Sequence, residues 1–212
     1  MVRKILLGCG IVSSVLYVVS DVIGNLLYEG YSYTDNTWSE LFAIGAPTRS
    51  LMLSLNIIPG TLLMAAFAVG LWTAATPKRT AARITGAMLL GYTASGTAAQ
   101  LFFPMKTREA LAAGEGTLRN ALHPPVTMVS VIFLLLAMGF GSTLLGKRFR
   151  YYTYGTILLL VVFGVLSGQQ GGRAEANQPT PWLGLEQRIS AYTFVLWVAV
   201  LAIGLLGAQK AR

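Results

Sequence analysis

The chain has 212 residues, of which 54% are hydrophobic and only 11% charged. Its mean hydropathy is +0.61, so it carries too few charges for an ordinary water-soluble domain of this length. The formal net charge of +8 sits in short clusters between apolar runs, which excludes a nucleic-acid surface as its explanation. The single cysteine, Cys9, excludes an intrachain disulfide framework and a cysteine metal cluster.

The first apolar segment runs from about Ile5 to Tyr28. Arg3-Lys4 ahead of it imitates a secretory signal, and Leu6-Leu7-Gly8-Cys9 imitates a lipidation box. The run continues to Leu27, however, which is a membrane-spanning length of roughly 20 residues. Ser14, Tyr17, Asp21, Asn25 and Tyr28 follow at steps of three or four and form one polar stripe along the helix. A carboxylate at membrane depth costs about 2.5 kcal/mol or more, so Asp21 is expected to face a bundle interior or a wet cavity. Its functional reading is a polar site opening toward the outer surface; its structural reading is a satisfied bond between helices. The small pairs Gly10/Ser14 and Ser20/Gly24 permit close helix packing.

In the following loop, Thr37 and Glu40 have capping-box spacing. This predicts a short helix in the headgroup region carrying Trp38, Leu41 and Phe42. The second segment, about Leu51 to Ala75, contains Asn56 and Pro59-Gly60, which predict a kink in its outer half. The third runs from about Arg83 to Phe103 and offers Tyr92, Ser95 and Gln100; Phe103-Pro104 ends it. The loop Met105 to Leu122 is expected to hold a short amphipathic helix. It delivers His123, the only histidine, to the cap of a fourth segment predicted over Pro124 to Leu145. The fifth segment, about Tyr151 to Leu166, leaves through the glycine-rich run Ser167 to Gly172, which does not match a phosphate-binding loop. The sixth, about Leu185 to Gly207, opens on Glu186-Gln187-Arg188 and returns to the basic tail Gln209 to Arg212.

These counts predict an all-α fold: a single six-helix transmembrane domain over residues 1–212, with both termini inside. Arg3, Lys4, Lys78, Arg79, Arg83, Lys147, Arg148, Arg150, Lys210 and Arg212 fall at one set of helix ends without an acid. Every acid except Asp21 falls at the other. This is the positive-inside pattern, and it makes the basic balance a topology signal. Without a visible internal repeat, the sequence sign of an inverted-repeat transporter is missing.

Folding this topology gathers the polar outliers on the outer side. The candidate ligand-binding residues are Asp21, Asn25, Trp38, Ser39, Glu40, Gln100, His123, Glu186 and Arg188. One outward-facing pocket lidded by the first loop is the economical reading, with Asp21 and His123 sharing it. Arg188 is the cation out of place. Glu186 lies on another face of the helix, so its partner is expected from a different segment, with Asp21 and Glu40 the candidates.

Tyr31-Ser32, Trp38-Ser39-Glu40-Leu41, Phe103-Pro104, His123 opening the fourth span and Gly184-Leu185-Glu186-Gln187-Arg188 opening the sixth carry a family resemblance. In their order and spacing the chain resembles a family of small bacterial and archaeal membrane proteins catalogued as domain of unknown function 998. Many relatives have an acid shortly after Phe-Pro, where this chain has Met105-Lys106. The resemblance implies the six-span architecture and a multi-pass place in a bacterial or archaeal plasma membrane, and it implies no activity.

Two functions fit these residues. The first is binding or handling of a lipid or other amphiphile at the outer leaflet, alone, as a homo-oligomer or with another membrane protein. The second is an acid-base enzyme on such a molecule, lipid-modifying or hydrolase-like, using Asp21 or Glu40 with His123 as the catalytic candidates. One histidine among scattered acids makes a poor zinc site, so no metal or other cofactor is expected.

Overall fold

The computed structural model describes residues 1–74 and 76–210, with only the backbone for the last two of these; Ala75, the expected end of the second segment, and Arg212 of the basic tail lie outside the described residues. Among the described residues, six long helices form one bundle. They are α1 (Val2–Leu27), α2 (Arg49–Trp72), α3 (Arg79–Leu101), α4 (Leu118–Gly141), α5 (Lys147–Gln169) and α6 (Leu183–Lys210). Among the described residues, five of them (α1, α2, α4, α5 and α6) are long and apolar enough to cross a membrane. The other, α3, has 23 residues, about 35 Å at 1.5 Å per residue. Its sequence is diluted by glycine, serine and threonine, and it packs between α2 and α4.

The neighbours run α5, α6, α1, α2, α3, α4, and the α4–α5 contact is slight. Trp197 of α6, fully buried, closes the middle. Its ring lies against Gly141 of α4 and stacks near Phe149 of α5, and its indole N–H donates to Thr153 at 2.9 Å. Small residues allow the α1 contacts. A Cβ on Gly10 would stand 2.8 Å from the Phe67 ring of α2, and the Ser14 hydroxyl donates to the Val195 carbonyl of α6 at 2.8 Å. Apolar side chains such as Leu26, Ile132, Leu158 and Leu196 point outward, as they do where lipid is the solvent.

One expectation gains its detail and two are corrected. The distortion in α2 is a π-helical turn over Leu53–Ile57, with Pro59 just after it at the start of the next α-helical stretch. Widening the turn accommodates a residue that has no N–H and crowds the preceding carbonyl. It also points Asn56 at α1, where its amide donates to the Ser20 hydroxyl. The short helix after α1 is a 3-10 turn over Trp38–Phe42, and Thr37 N–H donates to the Glu40 carboxylate at 2.8 Å as the capping box requires. Its apolar side chains are not turned outward to headgroups: Leu41 and Phe42 are fully buried against Met52 and Ile57, and burial of two large side chains holds the turn against the bundle. The helix α4 starts six residues earlier than expected, capped by the Thr117 hydroxyl, which accepts from Asn120 N–H at 3.3 Å. Pro124 and Pro125 therefore lie inside it, and His123 stands in its second turn.

The two ends of the bundle differ. At one, Lys78 donates to the Thr143 carbonyl and so joins the two basic turns. At the other, Ile44 and Lys106 form a lone bridge between the first two loops, and short helices occupy Arg108–Ala112 and Gly171–Glu175.

Candidate functional site

Asp21 lies in α1 at a depth where no water reaches it, and Arg188 comes to it from the first turns of α6. The guanidinium is 1% exposed and the carboxylate 0%. Arg188 Nε donates to Asp21 Oδ2 at 2.9 Å and Nη2 to Oδ1 at 3.0 Å, a side-on bidentate pair. The other N–H groups are used as well. Nη1 faces the carbonyls of Tyr33 (2.8 Å), Asn36 (2.9 Å) and Gly184 (3.2 Å), and Nη2 donates to the Tyr31 hydroxyl at 2.6 Å. The Tyr33 ring stacks on the guanidinium, 4.1 Å from its centroid to Cζ. On the carboxylate side the Tyr192 hydroxyl donates to Oδ2 at 2.6 Å and meets the Tyr33 hydroxyl at 3.0 Å. Desolvating two ions is costly, and this nearly complete set of partners is what offsets it.

The local sequence explains the collar. The segment from Tyr31 to Asn36 forms no helix or ladder; Ser32 and Thr34 find backbone donors, which leaves the carbonyls of Tyr33, Asp35 and Asn36 to side-chain donors. Gly184 makes room for them: a Cβ there would press on the Asn36 carbonyl and stand 2.7 Å from that of Tyr33. Burial pushes the Tyr31 phenol above its ordinary range. It therefore stays protonated, accepts from Arg188 and donates to the Thr37 carbonyl at 2.8 Å.

A second pair sits nearer the surface, at the rim of the same end of the bundle. Arg108 Nε and Nη2 donate to the two oxygens of Glu40, each at 2.8 Å, and Nη1 to the Thr180 hydroxyl at 2.8 Å. Glu40 also accepts from Asn36 Nδ2 at 2.6 Å. Asp35 completes the join: its carbonyl accepts from Arg108 and Thr180, and its carboxylate from Trp182 N–H at 3.1 Å. Asn36 touches both pairs, through its carbonyl and its amide, so the three loops at this end of the bundle and the buried pair form one connected network.

The expected residues divide accordingly. Asp21, Glu40 and Arg188 meet in the network, and Arg188 takes its partner from another segment. Trp38 borders it, its ring stacked on Tyr17 at 4.8 Å and its backbone N–H donating to Gln187 Oε1 at 2.7 Å. Glu186 instead accepts from Gln170 at the end of α5, at 3.0 Å. Asn25 and Ser39 are half-buried and Gln100 is buried; none joins the network among the described residues. His123 is buried too, but its Nδ1–H donates to the carbonyls of Phe103 (2.7 Å) and Ala99 (3.3 Å). It caps the end of α3, where carbonyls lack helical partners. The shared cavity expected for Asp21 and His123 is thus not formed: the two have no partner in common, and Asp21 sits in a sealed ion pair. Tyr31, Tyr33, Asn36, Arg108, Thr180 and Tyr192 were not among the expected residues. For Tyr192 the sequence did hold a sign, since it lies one helical turn after Arg188.

Two concavities flank the network. An apolar groove of about 280 Å³ lies on the outward face of α6, bounded by Tyr33, Leu185, Ile189, Tyr192, Thr193 and Leu196, with Arg188 behind it. A polar cavity of about 170 Å³ lies at the same end of the bundle around Tyr28, Tyr31 and Glu40. Among the described residues, no three His, Cys, Asp or Glu side chains converge as metal ligands.

The family model described as "Protein of unknown function (DUF998)" matches residues 11–204, so the chain belongs to that family. No curated protein and no solved structure matches it.

Proposed function

We propose that this family member is a six-span protein of a bacterial or archaeal plasma membrane, with both termini on the cytoplasmic side, that binds a lipid or other amphiphile at its outer end. The observation that carries the binding reading is the groove on α6. Its wall is apolar, it opens where Leu196 is 56% exposed, and a span's outward face is solvated by lipid chains. The orientation is supported by the acid-free basic turns at one end of the bundle and the acid-rich loops at the other.

The acid-base alternative draws no support from the geometry. Asp21 and Glu40 are each held by an arginine, and the Nδ1–H of His123 is committed to backbone carbonyls. A general acid or base must reach a substrate proton within about 3 Å.

Photo-crosslinking with a diazirine-labelled phospholipid tests the groove. Leu196→Trp fills it and is expected to abolish the crosslink to α6, whereas Leu158→Trp on α5, at a position 64% exposed, keeps it. Equal labelling in both variants would refute the groove. Topology is tested separately: cysteines at Asp35 and Glu115 are expected to react with an impermeant thiol reagent from outside, and one at Lys147 to be silent in intact cells.

A further inference from the structure

The apolar groove on α6 is walled by two phenols, Tyr33 and Tyr192, whose protons are already committed. Tyr192 has one hydroxyl proton, and it goes to Asp21 Oδ2 at 2.6 Å. As the bidentate partner of Arg188, that carboxylate only accepts. The 3.0 Å contact between the Tyr33 and Tyr192 hydroxyls therefore has one direction: Tyr33 donates and Tyr192 accepts. The other side-chain donors of the wall are spent as well. Arg188 places its N–H groups on Asp21, on the Tyr31 hydroxyl and on three backbone carbonyls, and the Thr193 hydroxyl donates to the Ile189 carbonyl of its own helix. What the half-buried Tyr33 still offers the groove is the lone pairs of its phenol oxygen. We propose that the groove takes a neutral lipid alcohol, whose free hydroxyl donates to Tyr33 while its chain lies along α6.

This inference rests on the amphiphile reading of the groove and names the head of the ligand. The groove runs from Leu185 to Leu196, about 16 Å along a helix that rises 1.5 Å per residue, which suits an extended chain. A phospholipid can lay its chain there, but its phosphate brings only acceptors and leaves the Tyr33 oxygen unanswered. An ammonium brings donors, yet Asp21 is already held by Arg188, so the added charge would stand unpaired beside a lipid-solvated span. A hydroxyl is neutral and supplies the missing donor. It extends one line of hydrogen bonds from the ligand through Tyr33 and Tyr192 to the Asp21 carboxylate, each bond polarising the next.

The test uses the full chain in phosphatidylcholine nanodiscs and two photo-crosslinking probes with identical diazirine-bearing chains, a diacylglycerol and its 3-O-methyl ether. The two differ in the hydroxyl donor alone, and labelling of α6 is read by peptide mass spectrometry as each is titrated. Half-maximal labelling by the diacylglycerol is expected at about tenfold lower concentration than by the ether, the scale of one hydrogen bond made or missed. Tyr33→Phe keeps the ring on Arg188 and removes the acceptor, so the diacylglycerol should weaken to the level of the ether. Tyr192→Phe should bring the probes together from the other side: the Tyr33 proton loses its acceptor, turns to the ether oxygen, and the ether gains about tenfold. Equal labelling of α6 by the two probes in the unsubstituted chain overturns the lipid alcohol and leaves the groove reading standing, whereas no saturable labelling by either overturns both. Equal weakening of both probes in the two variants would make the phenols structural and also overturn the proposal.

Discussion

The molecule holds two arginine–carboxylate pairs of the same bidentate kind at two depths. Arg188–Asp21 joins α6 to α1 with both partners almost wholly buried, at 1% and 0% exposure, whereas Arg108–Glu40 joins loops at 11% and 9%. The difference lies in what remains when one partner goes. At the deep site the survivor is an uncompensated ion that water cannot reach. At the rim, a small movement of the loop lets water in. Similar geometry therefore implies different energetic weight, and the pairs also differ in duty: one fixes helices, the other fixes loops.

The strongest way to test that contrast is to remove the deep cation. Arg188→Gln strands Asp21 and frees the carbonyls of Tyr33 and Asn36, and is expected to cost about 3–5 kcal/mol, read as loss of the folded fraction in a detergent unfolding titration. The double change Asp21→Leu with Arg188→Met should recover part of that, because it removes both charges together. If the double variant is as unstable as the single, the collar rather than the charge carries the cost.

Next in size is Gly184→Ala, which leaves both ions in place and forces the loop carbonyls away from Nη1. Overpacking of this kind costs about 1–3 kcal/mol. An unchanged melting temperature would mean that the loop adapts freely and that the collar contributes little.

At the rim, Glu40→Gln keeps shape and removes charge, with an expected loss of about 1–2 kcal/mol. The distinguishing readout is local: trypsin should cut after Arg108 faster while the helices stay protected. Global unfolding as severe as that of Arg188→Gln would erase the distinction between the two sites.

The smallest effect is expected from His123→Gln, which lies in neither pair. It loses a bond to the Phe103 carbonyl, worth about 1 kcal/mol, and should alter neither tryptic cutting after Arg108 nor lipid crosslinking in the groove. A specific loss of lipid labelling would return His123 to the functional residues.

Sequence reading reached the helices because their signals are local. Apolar runs of spanning length, Gly10 and Ser14 one turn apart, and basic clusters at alternate ends need no knowledge of neighbours. The Thr37–Glu40 capping box was legible for the same reason. Its burial was not: whether Leu41 and Phe42 meet lipid or protein depends on the space left between α1 and α2.

Asp21 and Arg188 each announced a need for a partner, since an unpaired ion at such a depth is too costly to keep. The sequence thus determined that Arg188 would be answered from another segment and left Asp21 and Glu40 both open. Only the tertiary structure decided between them, by setting α6 beside α1 so that the guanidinium met Asp21, and by bringing the second loop over the first so that Arg108 took Glu40. It likewise turned His123 toward the end of α3, because α4 begins at Leu118 rather than at the prolines and so places the ring in its second turn, against the carbonyls of Phe103 and Ala99. Helical periodicity fixes which residues share a face; which face meets which partner is a property of the packed chain.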